Sequence, residues 1–248
     1  MIKDGLQSTN GEIRSFLMIG QSNMAGRGDF GEVPKIYNEN CLMLRMGRWQ
    51  TMHEPINTDR WIFEGEFHSG VSLAASFADE LSRAQDARVG LIPCADGGTG
   101  IEQWMPGEVL YDHAVMMTRL AMRSSTLAGI LWHQGENDCT SDEKLAAHKD
   151  KFIKMITAMR RDLGAEELPL LIGELAWEIA PRWGLGDRPA AMNRAYHEIA
   201  QKLPHCAIVS SKNLTQKPDG LHFDSVGLRE FGMRYFAEYV HLTEGRNT

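Results

Sequence analysis

The 248-residue chain lacks the residue patterns that are typical of zinc sites and of nucleic-acid-binding proteins. Its four cysteines are scattered, with no C-x-x-C pair and no histidine at zinc spacing, so we expect core residues in a reducing compartment. Lys and Arg number 26 against 33 Asp and Glu, and the net charge of −7 disfavours nucleic-acid binding, which needs a basic face. Neither a metal nor a nucleic-acid partner is therefore expected.

Long apolar segments are also lacking. No stretch approaches 18 uninterrupted apolar residues, and the N-terminus lacks the basic start and apolar run of a secretory signal. These absences predict a cytoplasmic protein without a membrane-spanning segment. The composition, 43% hydrophobic and 24% charged, is typical of a globular protein, and the length suits a single α/β domain over residues 1–248.

The chain does contain an alternation of short apolar runs with amphipathic stretches. The apolar runs are typical of strands covered on both faces, and they lie at 16–19, 41–44, 89–92, 130–132, 168–172 and 207–209. The amphipathic stretches are typical of helices, and they lie at 72–84, 109–123, 141–163, 189–203 and 225–242. Ser141 and Ser225 are the predicted N-caps of two of them. This order predicts a mainly parallel sheet with helices on both faces.

Polar, glycine-rich turns follow several of the predicted strands. They lie at 20–27, 96–104 and 133–138, and a similar turn at 218–224 precedes the last predicted helix. In parallel sheets, ligands bind outside the carboxyl ends of the strands. We therefore expect these turns to come together as one functional site.

Ser22 in the first turn is a candidate nucleophile. The glycines near it suit a chain that turns sharply while exposing a small side chain, although a helix N-cap would look the same. The turn is not a phosphate-binding P-loop, because its glycine spacing is too long and Arg27-Gly28 replaces the Lys-Ser/Thr pair. It is not the G-x-S-x-G elbow either, because Met24 stands in place of the last glycine.

Asp219 and His222 supply the groups that would activate such a serine. A carboxylate three residues before a histidine can accept the Nδ1 proton and leave Nε2 free to take the proton of a nucleophile. The alternative is a solvated turn with an incidental histidine.

The remaining turns offer donors for the negative oxygen of a tetrahedral intermediate. The backbone N–H groups of Ser22 and Gly98 and the side-chain amide of Gln134 together form a candidate oxyanion hole. Taken singly, a Gly-Gly pair can be a tight turn and a glutamine a surface residue.

The combination of these motifs resembles one known family. Gly-Gln-Ser-Asn-Met-Ala-Gly, a Gly-Gly-Thr turn leading to Trp104, Trp-x-Gln-Gly-Glu and Asp-Gly-x-His-Phe are similar to the SGNH hydrolases. The resemblance is to their carbohydrate acetylesterase branch, which contains sialate O-acetylesterases and the acetyl xylan esterases of carbohydrate esterase family 6. It implies a three-layer α/β/α, flavodoxin-like fold and an enzyme that uses no cofactor.

The same resemblance implies a part for each motif residue. Ser22 corresponds to the nucleophile, His222 to the general base and Asp219 to the acid that orients it. The Ser22 N–H, the Gly98 N–H and the Gln134 amide correspond to the oxyanion hole. The residues expected to support this site are Gln21, Asn23 and Glu136.

The chain departs from the family pattern at three positions, His133, Asn137 and Gly100, where Tyr, Ser and Ser are frequent. None of these departures removes a catalytic group. Asn137 and Gly100 are expected to affect the loop hydrogen bonds or the substrate pocket. Glu136 is interpreted as a buried group that orients the loops, and a direct catalytic carboxylate is its alternative.

The substrate contacts rest on aromatic and cationic residues. Trp49, Trp61 and Trp183 lie in long polar segments and are candidate sugar platforms, although packing within the loops is an alternative. Trp104 is expected to close the pocket beside Gly98, and Arg27 is a candidate partner for the carboxylate of a sialic acid.

The sequence therefore predicts a serine esterase that releases acetate from an O-acetylated carbohydrate through an acetyl-enzyme. Its partner is a small acetyl ester, either an acetylated xylan oligosaccharide or an O-acetylated sialic acid. The alternatives are a carbohydrate-binding protein that keeps the fold without catalysis, and a lipase or thioesterase of the same superfamily.

Overall fold

The computed structural model describes residues 12–58 and 69–244. Its strands are β1 (Ile13–Gly20), β2 (Cys41–Arg45), β3 (Arg48–Thr51), β4 (Arg88–Pro93), β5 (Thr126–His133), β6 (Leu170–Gly173) and β7 (Cys206–Val209). Its helices are α1 (Ser22–Ala25), α2 (Leu73–Gln85), α3 (Val109–Ala121), α4 (Asp142–Asp162), α5 (Arg188–Lys202) and α6 (Ser225–Glu244). Within this part of the chain, strands and helices alternate as the apolar periodicity predicts.

The sheet is covered on both faces. One buried apolar cluster packs the sheet against α3, α4 and α5, and the other packs it against α2 and α6. This gives three layers, α/β/α, and explains why the strands are apolar without alternation. No helix among the described residues is long and apolar enough to span a bilayer.

The strand order places a ligand-binding crevice at the end of β1. The seven strands lie in the order β3-β2-β4-β1-β5-β6-β7, and every neighbouring pair except β2–β3 is parallel. The strands that directly follow β1 in sequence, β2 to β4, lie on one side of β1 in the sheet. Strands β5 to β7 lie on its other side. Such a reversal opens a crevice at the carboxyl ends of the strands. Leaving the β2–β3 hairpin aside, the order is that of the flavodoxin-like fold, as expected.

Two local predictions differ from the structure. Strand β3 falls in a segment interpreted as a long polar connection, and its exposed residues pair with β2 at the sheet edge. Ser141 caps α4 by accepting from Lys144 N at 3.2 Å, as predicted. The prediction for Ser225 is wrong, because its hydroxyl donates to Asp29 O instead. The cap of α6 is Asp224, whose Oδ1 accepts from Gly227 N at 2.7 Å.

Candidate active site

The carboxyl end of β1 presents Ser22 at the crevice. A Cβ at Gly20 would overlap the backbone carbonyl of His133, and Gly20 has a φ of +129°, so the close approach of β1 to β5 requires glycine there. Gln21 N donates to His133 O at 2.8 Å and fixes this approach. Ser22 opens the short α1 and is only 6% exposed, yet it lines the cavity at this edge of the sheet.

Ser22, His222 and Asp219 form a continuous hydrogen-bonded row. The Ser22 hydroxyl donates to His222 Nε2 at 2.9 Å, and His222 Nδ1–H donates to Asp219 Oδ2 at 2.7 Å. We assign this tautomer because the Asp219 carboxylate only accepts. Nε2 is therefore the nitrogen that can take the serine proton.

The turn that carries Asp219 is shaped by its own carboxylate. Asp219 Oδ1 accepts from the backbone N–H groups of Leu221 and His222, at 2.9 Å and 3.0 Å. Burial by itself raises the pKa of Asp219. The hydrogen bonds from the His222 backbone and ring and from Leu221 outweigh this effect, and they leave the pKa of Asp219 below its ordinary value. The carboxylate thus stays ionised near neutral pH and can stabilise the positive charge that develops on the His222 ring during catalysis.

The supporting residues that flank Ser22 connect the catalytic loops. Asn23 is fully buried, its Nδ2 donates to Glu136 Oε1 at 2.7 Å, and its Oδ1 accepts from Phe223 N at 3.1 Å. Gln21 Oε1 accepts from the backbone N–H of Asn137 at 3.4 Å. Gln21 thus holds the loop after β5. Asn23 holds that loop as well, and it also holds the backbone next to His222.

Glu136 is among the residues that line the cavity, and one of its carboxylate oxygens is hydrogen-bonded while the other is not. Oε1 accepts from Asn23, whereas Oε2 is buried without a hydrogen-bond partner. The nearby His133 does not form an ion pair with it, because burial lowers the pKa of His133 and keeps the ring neutral. His133 Nε2–H donates to Glu174 O at 3.0 Å, which leaves Nδ1 without a proton. The direct contact of Glu136 is thus with Asn23, in keeping with a group that orients the loops.

Glu136→Gln separates the two interpretations of this residue. A glutamine keeps an oxygen that accepts from Asn23, so an orienting residue predicts turnover within about fivefold of wild type. Glu136→Ala removes the acceptor and leaves one buried N–H of the Asn23 amide without its partner, so we expect a much larger loss of turnover and a lower melting temperature. The measurement is turnover of p-nitrophenyl acetate together with thermal unfolding. An equal loss of turnover in both variants, with both stably folded, would indicate a catalytic carboxylate instead.

The cavity in front of Ser22 measures about 750 Å³, and its lining residues come from six of the segments that connect strands and helices. Gly98 has a φ of +73° and stands exposed in the turn after β4. In the part of the chain that the structure describes, the backbone N–H groups of Gly98 and Ser22 donate to no other group. Both N–H groups are thus available to a ligand oxygen.

The structure does not place the Gln134 amide on this cavity. Gln134 is fully buried, and its Nε2 donates to Thr99 O at 3.0 Å and to Asp138 Oδ2 at 2.7 Å. Asn137, three residues further on, does line the cavity. Its side-chain amide makes no hydrogen bond within the described residues. Asn137 therefore offers the free donor that sequence reasoning assigned to Gln134.

A buried pair, Asp138 and His148, fixes this arrangement and was not found from the sequence. Asp138 Oδ2 accepts from Gln134 and from His148 Nδ1, the latter at 3.1 Å, and also from Ile101 N at 2.9 Å. The loops after β4 and β5 are thereby joined behind the cavity. Asp138 and His148 are only ten residues apart, but one carboxylate and one histidine at that spacing form no recognised motif, so the sequence does not mark them.

Among the residues expected to contact the substrate, Arg27 and Trp183 line the cavity. Trp104 does not, because it is fully buried and donates to Thr99 Oγ1 at 3.1 Å, bracing the Gly98 turn from behind. Trp49 does not line the cavity either. Its ring covers Gly90, and its N–H donates at 3.2 Å to the hydroxyl of Ser124, a residue just before the start of β5. Trp61 lies outside the described residues.

The chain is similar to known proteins both in sequence and in fold. Residues 12–241 match the family model described as "Carbohydrate esterase, sialic acid-specific acetylesterase". The chain is 28% identical to the probable carbohydrate esterase At4g34215 of Arabidopsis thaliana, over 96% of this chain and 94% of that protein. The solved structure of the Arabidopsis protein has a TM-score of 0.83 at 27% identity, covering 93% of this chain and 99% of that one. The crystal structure of NanS has a TM-score of 0.76 at 17% identity, covering 95% and 98%, and this likeness shows the fold.

Proposed function

Since the chain belongs to the carbohydrate esterase family of sialic acid-specific acetylesterases, and is thus a carboxylic ester hydrolase, we propose that it removes O-acetyl groups from carbohydrates with Ser22 as its nucleophile. The observation that carries this proposal is the row Ser22–His222–Asp219, joined at 2.9 Å and 2.7 Å in the wall of a cavity. A binding protein has no need of a serine hydroxyl aligned on a histidine nitrogen.

The first half of the reaction forms an acetyl-enzyme. His222 Nε2 takes the Ser22 proton while Oγ attacks the acetyl carbonyl carbon, and Asp219 stabilises the positive charge that develops on the imidazole. The negative oxygen of the intermediate lies against the N–H groups of Ser22 and Gly98 and the Asn137 amide. The intermediate collapses when His222 returns the proton to the sugar oxygen, and the C–O bond to the sugar breaks.

The second half restores the enzyme. Water enters where the sugar has left, gives a proton to His222 Nε2 and attacks the acetyl carbon. The second tetrahedral intermediate then releases acetate, and the proton returns to Ser22 Oγ. One histidine thus acts as base and acid in both halves, and within the described residues His222 is the imidazole that is hydrogen-bonded to Ser22.

The dimensions of the cavity support a substrate larger than its acetyl group. At about 750 Å³ it falls within the roughly 300–1,000 Å³ that enclose whole small-molecule ligands. The net charge of −7 gives no general attraction to an anionic sugar, so a sialic acid carboxylate would depend on local cations such as Arg27. A neutral acetylated sugar requires no such cation.

Acetate release from a panel of sugars tests the proposal. We expect the chain to release acetate from acetylated xylan oligosaccharides, from O-acetylated sialic acids, or from both. A fluorophosphonate should form an adduct at Ser22, located by mass spectrometry of the digested protein. If loss of the Arg27 side chain lowers acetate release from O-acetylated sialic acids but not from xylan oligosaccharides, Arg27 is the residue that binds the sialic acid carboxylate. A chain with no Ser22 adduct and no acetate release would contradict the assignment.

A further inference from the structure

The wall of the cavity beyond β6 carries an exposed aromatic ring that the proposed chemistry does not use. Trp183 lines the cavity together with Ser22 and His222, yet it is 44% exposed. We propose that the indole face of Trp183 stacks on the sugar ring and forms the platform for the alcohol part of the substrate. This inference rests on the proposed function and assigns one side of that same site.

The ring is held to the catalytic turn along one edge. Its N–H donates to Asp219 O at 2.9 Å, and Ala180 N, just before it in the chain, donates to Gly220 O at 2.8 Å. Gly220 has a φ of +61°, and a Cβ there would lie 2.6 Å from Ala180 Cβ, so the two turns pack closely. The indole is therefore fixed before a ligand binds, and little conformational freedom is lost on binding.

The opposite side of the cavity is polar. Arg27, Asn57 and Asp96 line it there, and the Arg27 guanidinium lies 2.7 Å from the point where a Cβ on Gly97 would be. The sheet order separates Asp96 from Trp183, because β4 and β6, the strands that these residues follow, lie on opposite sides of β1.

This division of the cavity matches the surface of a pyranose ring. The C–H groups on its faces stack against an indole, while its hydroxyls need hydrogen-bond partners at the rim. The arrangement thus fits a sugar ring that has one face on Trp183 and hydroxyls directed toward Arg27, Asn57 and Asp96.

Trp177 provides a matched control in the same connecting segment. It is also 44% exposed, and its N–H is also bound, to Glu174 Oε2 at 3.0 Å. Unlike Trp183, it does not line the cavity. The two tryptophans therefore share exposure and anchoring and differ in their access to a ligand.

Binding and turnover together test the platform. In Ser22→Ala protein, the Kd for acetylated xylobiose and for O-acetylated sialic acid is measured by calorimetry, with Trp183→Leu, Trp183→Phe and Trp177→Leu added in turn. Trp183→Leu should raise the Kd of the bound sugar about tenfold. Trp183→Phe keeps an aromatic face and should raise the Kd about threefold. Trp177→Leu should leave the Kd within about twofold of the value without it. In the active enzyme, Trp183→Leu should lower kcat/KM about tenfold more for the sugar ester than for p-nitrophenyl acetate.

The alternatives give different patterns. Equal losses on the sugar ester and on p-nitrophenyl acetate would show that Trp183 only braces Asp219, and an unchanged Kd in Trp183→Leu would overturn the platform directly. Equal effects of Trp177→Leu and Trp183→Leu would also overturn it. If sugar binding depends on Trp183 but the wild-type protein releases no acetate, the proposed function is contradicted and the platform is not.

Discussion

Ser22→Ala should reduce turnover of acetyl esters by roughly 10⁴-fold or more, because removal of the nucleophile leaves only the oxyanion donors and substrate binding. The hydroxyl donates to His222 Nε2 at 2.9 Å, and no second hydroxyl is bound to that nitrogen in the described residues. The measurement is kcat on p-nitrophenyl acetate and on an acetylated sugar, with thermal unfolding in parallel. The melting temperature should change little, since the substitution removes one hydroxyl at the cavity wall.

The matched control for this variant is a serine far from the cavity. Ser124 is exposed and its hydroxyl binds the Trp49 indole, so Ser124→Ala should keep turnover within about twofold of wild type. The fluorophosphonate adduct should disappear in Ser22→Ala and persist in Ser124→Ala. Retained turnover in folded Ser22→Ala would overturn the serine mechanism.

Asn137→Ala should lower kcat by about 10²–10³-fold with a smaller change in KM, because one donor to the transition-state oxygen is lost. Asn137→Asp has nearly the same shape, yet it places an acceptor and a negative charge where the oxyanion forms. We therefore expect Asn137→Asp to lose at least as much as Asn137→Ala. Steady-state kinetics on p-nitrophenyl acetate measure both effects, and acetate release from a sugar ester checks them.

Gln134 is the competing candidate for this donor. Its amide lies in a buried network with Thr99 and Asp138, so Gln134→Ala should lower the melting temperature as well as activity. Asn137 lines the cavity with a free amide, so its variants should unfold at close to the wild-type temperature. Unaltered kcat in Asn137→Ala, with a loss specific to kcat in folded Gln134→Ala, would assign the donor to Gln134 instead.

The apolar periodicity was enough to predict the layers of the fold because buried parallel strands and amphipathic helices differ in pattern. All six predicted strands are present, whereas β3 is not predicted because its four residues, three of them exposed, carry no apolar pattern at the sheet edge. The cap of α6 was misplaced by one residue. Serine and aspartate are both good N-caps, and the choice depends on Asp29, which is distant along the chain.

The site shows the same limit at the level of single side chains. Ser22, Asp219 and His222 were predicted as a group, since their types and spacing state the chemistry. The choice between Gln134 and Asn137 depends on a backbone turn at Gly135, which has a φ of +142°. The sequence does not distinguish a buried tryptophan from one at the cavity. Trp104 is buried and hydrogen-bonded to Thr99, whereas Trp183 lines the cavity. Tertiary contacts decide these matters, and they are not local in sequence.

The separation of Ser22 and His222 along the chain has a consequence for biosynthesis. The two side chains in contact are 200 residues apart. During translation the nucleophile is therefore made well before its base. A nascent chain thus carries an inert serine until α6 docks beside the sheet. Esterase activity should therefore appear late in refolding, after most of the helical signal has returned, and it reports completion of the whole fold.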